Sequence, residues 1–102
     1  MLFVYTTFRN HEAAQKAAHA LVERKLAVGV NTWPISAHFG SAGECKETEG
    51  TAALVRTFET KLPEVENLIA EFSPGGVPMV AAFAVWRINR LYKEWLMKQG
   101  FE

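Results

Sequence analysis

"GVNTWPISAHFGSAGECKETEGTAALVRT", residues 29–57, decides the fold. The runs "VGVNTW" and "SAHF" on one side and "ECKETEGTAALVRTF" on the other read as extended segments, and "GSAG" between them is a turn. The centre of the chain is therefore a β-hairpin. Pro34 interrupts its first strand and has no N–H to give to a ladder, which assigns that strand to a sheet edge or a bulge. If Gly40 to Gly43 form a four-residue loop, Phe39 faces Glu44 and His38 faces Cys45. A slip of one residue would separate the last two.

Outward from the hairpin, "LFVYTTF" (2–8) is a strand, and "RN" breaks it. Asn10 is a good cap for the helix "HEAAQKAAHALVERKLA", in which Ala14, Ala17, Ala18, Leu21 and Val22 form one apolar stripe opposite Glu12, Gln15, Lys16, His19 and Glu23. On the other side, "TKLPEVENLIAEF" repeats Leu62, Val65, Leu68, Ile69 and Phe72 at helical spacing. Thr60 is placed to cap it, and Pro63 falls in the first turn, where a missing N–H costs little. "SPGGVP" breaks the chain, "MVAAFAVW" (79–86) reads as a final strand, and "NRLYKEWLMKQG" is a C-terminal helix with Leu91, Tyr92, Trp95 and Leu96 on one side. The order β-α-β-β-α-β plus a helix predicts an α+β, ferredoxin-like sandwich, with a four-stranded antiparallel sheet carrying two helices on one face.

At 102 residues the chain is read as one domain, 1–102, large enough to bury a core without staples. Eleven basic and eleven acidic residues cancel, which removes the field that would draw in nucleic acid or an anionic membrane. "MLFVYTTF" has no basic leader followed by a long apolar run, and no stretch reaches membrane-spanning length. A cytoplasmic protein is expected. The single cysteine cannot form an internal disulfide, which suits a reducing compartment. No activated nucleophile, acid–base pair or redox cofactor motif is visible, so the chain reads as a binding protein and not an enzyme. "TTFRN" does place Arg9 between a strand and a helix N-terminus, as acylphosphatases place an arginine, but their glycine-rich loop is missing.

The strands speak to partners. Along "MVAAFAVW", Met79, Ala81, Phe83 and Val85 alternate with Val80, Ala82, Ala84 and Trp86, and all eight are apolar. "TAALVRTF" is similar, with Arg56 as its strongly polar interruption. Helices cover only one face of such a sheet, so the other must be covered by a second subunit or by the C-terminal helix folding back, and about three turns of helix are too few for four strands. A homo-oligomer is expected.

Several stretches together resemble the CutA divalent-cation tolerance family: "VYTT" (4–7), "ALVERKLA" (20–27) with "VN" (30–31), "VRT" (55–57), "VP" (77–78) and "YKEWL" (92–96), spread over nearly the whole chain in the family's order. The resemblance implies a ferredoxin-like fold, assembly as a homotrimer and a role in tolerance of divalent cations such as copper. The departures fall at polar positions. Gly29 stands where the family usually has a cysteine, and "SPGGVP" replaces "HPYEVP", so that Ser73, Gly75 and Gly76 occupy the histidine, tyrosine and glutamate positions. The hairpin segment "FGSAGE" lacks the family's tryptophan, and Arg56 replaces a lysine.

With those positions changed, the candidate metal ligands are His38 and Cys45. Imidazole and thiolate suit copper or zinc, and directly opposed strand residues have Cβ atoms about 5 Å apart. Symmetry-related copies, or Glu44 or Glu47, would complete the coordination. His19 and Glu23, one helical turn apart, are a solvated ionic contact before they are a chelate. Arg56 needs an anionic partner, for which Glu47 and Glu49, of the same chain or of a neighbouring subunit, are the candidates; Asn31, Arg56 and these acids form a second candidate set, lining an inter-subunit pocket for a small ligand. A reading from another class is a trimeric signalling module like the nitrogen regulators, binding a nucleotide between subunits, with the hairpin in place of their long flexible loop.

Overall fold

Four strands with an apolar inner face and two apolar helical stripes can be buried together only if both helices lie on one side of the sheet. The computed structural model, which describes residues 1–101, has this arrangement. Its elements are β1 (Leu2–Phe8), α1 (His11–Glu23), β2 (Gly29–Ser41), β3 (Glu44–Thr57), α2 (Leu62–Glu71), β4 (Ala81–Ala84) and α3 (Arg90–Lys98). The strands form one antiparallel sheet in the order β2-β3-β1-β4, the split unit expected from the element order.

The covered face holds Val4, Thr6 and Phe8 of β1 and Ala53, Val55 and Thr57 of β3, against Ala14, Ala17 and Leu21 of α1 and Val65, Leu68 and Ile69 of α2, all buried. Each large apolar side chain so buried contributes about 1.5–3 kcal/mol. Asn10 caps α1, its side chain accepting from the Ala13 N–H at 2.8 Å. At the other end Lys25 takes a left-handed conformation (φ 58°), its N–H bonding to the Val22 carbonyl while that of Leu26 returns to Leu21. Thr57 Oγ1 donates to the Leu26 carbonyl at 2.6 Å, which ties this turn to β3.

Three local expectations change. Thr60 lies inside a 3-10 turn, Glu59–Lys61, so it does not cap α2; Pro63 does occupy the first turn. The final strand is ladder-paired only over Ala81–Ala84, with the Val85 N–H still reaching the Met1 carbonyl and Trp86 lying beyond. The hairpin turn is two residues, Ala42 and Gly43, and not four. Both have positive φ (52° and 81°), the primed turn whose twist matches that of the strands it joins. Pro34 sits opposite Thr51 in an unbroken register on an edge strand, where its missing donor is tolerated.

β1 pairs with β3 only from Thr51 to Thr57. Residues 35–41 and 44–50 therefore leave the body as a two-stranded arm of roughly 23 Å, at about 3.3 Å per residue. Gly50 marks its root: a Cβ there would lie 2.8 Å from the Phe8 carbonyl oxygen, where β1 turns toward α1.

Candidate functional site

Register decides which polar side chains of the hairpin meet. The sequence reading set His38 opposite Cys45; the two-residue turn sets His38 opposite Glu47 and Cys45 opposite Gly40 instead. The displacement is two residues, an even number, so it changes partners without changing faces. His38, Cys45, Glu47 and Glu49 all lie on the face that the helices cover in the body, but out on the arm, where all four are exposed. His38 Nε2 is 3.5 Å from Glu47 Oε2. Cys45 is diagonal to His38, a relation with Cβ atoms about 7–8 Å apart or somewhat less, still within reach of long side chains. Among the described residues no cluster of three or more His, Cys, Asp or Glu side chains is arranged to hold a metal ion within one chain.

The opposite face is open. Phe3, Tyr5, Trp33, Leu54 and Phe83 lie on it, with Phe3 and Phe83 edge-on at 6.5 Å and Tyr5 and Trp33 tilted at 6.3 Å. It continues up the arm through Ile35, Ala37 and Phe39. Trp33 (40%), Phe39 (50%) and Phe83 (49%) keep too much exposure for α3 to be its cover. That helix buries Leu96 and touches the sheet at a corner, through Tyr92.

That corner holds Arg56, and the structure corrects the same-chain partner expected for it. Glu47 and Glu49 lie seven or more residues away along β3 and on the other face, so they cannot neutralise Arg56 within one chain. Its Nη1 donates instead to Tyr92 Oη at 3.2 Å, while its Nε is buried without an acceptor. Asn31, exposed, shares this face and is diagonal to Arg56. Two participants escaped the sequence reading. Tyr92, 36 positions away, looks like one more aromatic anchor of a helix stripe. Gly29 reads as a lost side chain, whereas it is the floor on which the guanidinium rests.

Elsewhere, His19 Nδ1 and Glu23 Oε1 lie 3.9 Å apart on the solvent side of α1, as a surface contact. A groove of about 580 Å³ runs between the arm and the segment 73–79, with Arg9, Glu49 and Phe72 in its lining. Ser73 is already engaged there, donating to the Ile69 carbonyl at 3.0 Å. The hairpin is regular to its tip, so it does not supply the long flexible loop that a signalling module would need.

Comparison with known proteins agrees with the geometry. A family model described as "CutA1 divalent ion tolerance protein" matches residues 2–99. The divalent-cation tolerance protein CutA of Thermococcus kodakarensis is 35% identical over 100 residues, which cover 98% of this chain and 96% of that protein. The crystal structure of CutA1 from Pyrococcus horikoshii superposes with a TM-score of 0.87 at 28% identity, covering 97% of each chain. A structure described as the periplasmic divalent cation tolerance protein CutA from Archaeoglobus fulgidus also gives 0.87 at 28% identity, over 96% of this chain and 97% of that one.

Proposed function

The chain belongs to the CutA1 divalent ion tolerance family, and from that premise we propose that it serves copper- or zinc-type cation tolerance by binding and not by catalysis, as a homotrimeric scaffold in the cytoplasm. The observation that carries the binding mode is the arm, where His38, Cys45 and Glu47 share one exposed face and Glu49 extends the line. An imidazole, a thiolate and a carboxylate form a donor set suited to copper or zinc. One chain offers too few converging ligands, so arms of neighbouring copies complete the coordination. Asn31 and Arg56, on the other face, belong to a separate binding surface.

Assembly rests on physical grounds beside the family relationship. The open face leaves Trp33, Phe39 and Phe83 each 40–50% exposed on one apolar sheet face, a surface of the kind that marks an interaction site, and an isolated two-stranded arm is marginal in water unless something packs on it. The long unpaired edge of β2 is a further surface that proteins normally cover.

Calorimetric titration with Cu(II) and Zn(II) tests the ion site. Cys45→Ala and His38→Ala are each expected to weaken binding at least tenfold, and heats equal to those of the unaltered protein would dispose of the arm as the site. Light scattering at micromolar concentration tests the scaffold, with a trimer mass expected and a stable monomer sufficient to overturn it. The Archaeoglobus relative described as periplasmic makes cell fractionation the direct check on compartment.

A further inference from the structure

Arg56 is a cation that the chain positions without giving it an anion among the described residues. On the open face its strand neighbours are Phe3 on one side and Gly29 on the other. Only glycine at position 29 admits the guanidinium, because a Cβ there would fall 2.3 Å from Nη2 and 3.0 Å from Cζ. Tyr92 steadies the far end by accepting from Nη1. Among the described residues one of its five N–H donors is used, Nε is buried and unpaired, and Arg56 forms no ion pair. Fixing a long side chain costs conformational entropy, and half-burying it beside Phe3 weakens the screening of its charge. A guanidinium held this way is preorganised: its fork matches two oxygens of a carboxylate or phosphate. Tyr92, having accepted from Nη1, keeps its own O–H to donate, and Asn31, diagonal on the same face, brings an amide.

We propose that Arg56, Tyr92 and Asn31 form a binding site for the oxyanion of a small molecule, a carboxylate or a phosphate, at the α3 corner of the sheet face that the proposed assembly turns toward a neighbouring copy, so that the site lies between subunits. The site is distinct from the cation donors of the arm, which lie on the opposite face, so either assignment can fail while the other stands.

The test uses the intact protein with malonate and inorganic phosphate as probes and chloride at equal ionic strength as the control. The Arg56 side-chain ¹⁵N resonance, assigned by its loss in Arg56→Lys, should shift and saturate with malonate or phosphate but not with chloride, and the melting temperature should rise with it. Arg56→Lys keeps the charge and loses the fork, and should weaken binding at least tenfold; Tyr92→Phe should weaken it several-fold and carries the test if Arg56 variants do not fold. Copper titration of Arg56→Lys should match that of the unaltered protein. Failure of the resonance to shift, or an equal response in the variants, overturns the site. So does an Arg56→Gln variant that dissociates the assembly while the unaltered protein binds neither probe, since the guanidinium would then be held by a carboxylate of a second copy.

Discussion

Replacing Gly29 by alanine should disturb Arg56 while leaving the backbone in place. The new methyl would fall 2.3 Å from Nη2, which no real contact permits, but the atom it meets is the far end of a flexible side chain. The guanidinium should swing away and lose its bond to Tyr92. A hydrogen bond to a charged group contributes about 1.5–3 kcal/mol, and half-burial argues for the lower end, about 1.5. Against this, alanine recovers about 0.5–1 kcal/mol of the conformational entropy that a strand glycine forfeits. The net loss is about 0.5–1 kcal/mol. In an Arg56→Ala background no guanidinium is left to displace, and the same substitution should stabilise by about 0.5–1 kcal/mol. The double-mutant cycle therefore predicts a coupling of about 1.5 kcal/mol between residues 27 positions apart in sequence. Urea unfolding of the four proteins measures it, at one protomer concentration so that association does not shift the midpoints. Additive effects, with Gly29→Ala equally costly in both backgrounds, would refute the account of Gly29 as the floor beneath Arg56.

Three further outcomes follow from the backbone. Gly50→Ala meets the Phe8 carbonyl oxygen at 2.8 Å, a main-chain atom that cannot swing aside; it should cost about 1–3 kcal/mol, more than Gly29→Ala, by the same urea measurement. Lys25→Gly relieves a left-handed residue at the end of α1 and should raise stability by about 0.5–1 kcal/mol, seen as a higher melting temperature. Ala42→Asn puts a residue that tolerates positive φ before Gly43 and should stabilise the arm by about 0.5 kcal/mol, read from slower amide exchange at 35–41 and 44–50.

The element order, the two helical stripes apart from Val22, which lies 46% exposed, and the oily second face are local properties, written in spacings of two and of three to four residues, and the chain states them without help. Asn10 capping α1, the edge position of β2 and the family relationship were legible in the same way, since each depends on residues close together or on a pattern repeated along the whole chain. Register is different. It hangs on the backbone angles of Ala42 and Gly43, and alanine carries no sign that it will turn left-handed; the glycines at 40 and 43 suggested a longer loop, and His38 exchanged Cys45 for Glu47 as a result. Packing is different again. Nothing in the string links Gly29, Arg56 and Tyr92, because the contact among them arises only when a strand, its edge neighbour and the last helix converge on one corner of the sheet. Sequence alone determined what kinds of surface this protein presents, through short-range periodicity. Tertiary structure decided which charges those surfaces leave unpaired, because pairing is a matter of distance in space and not along the chain.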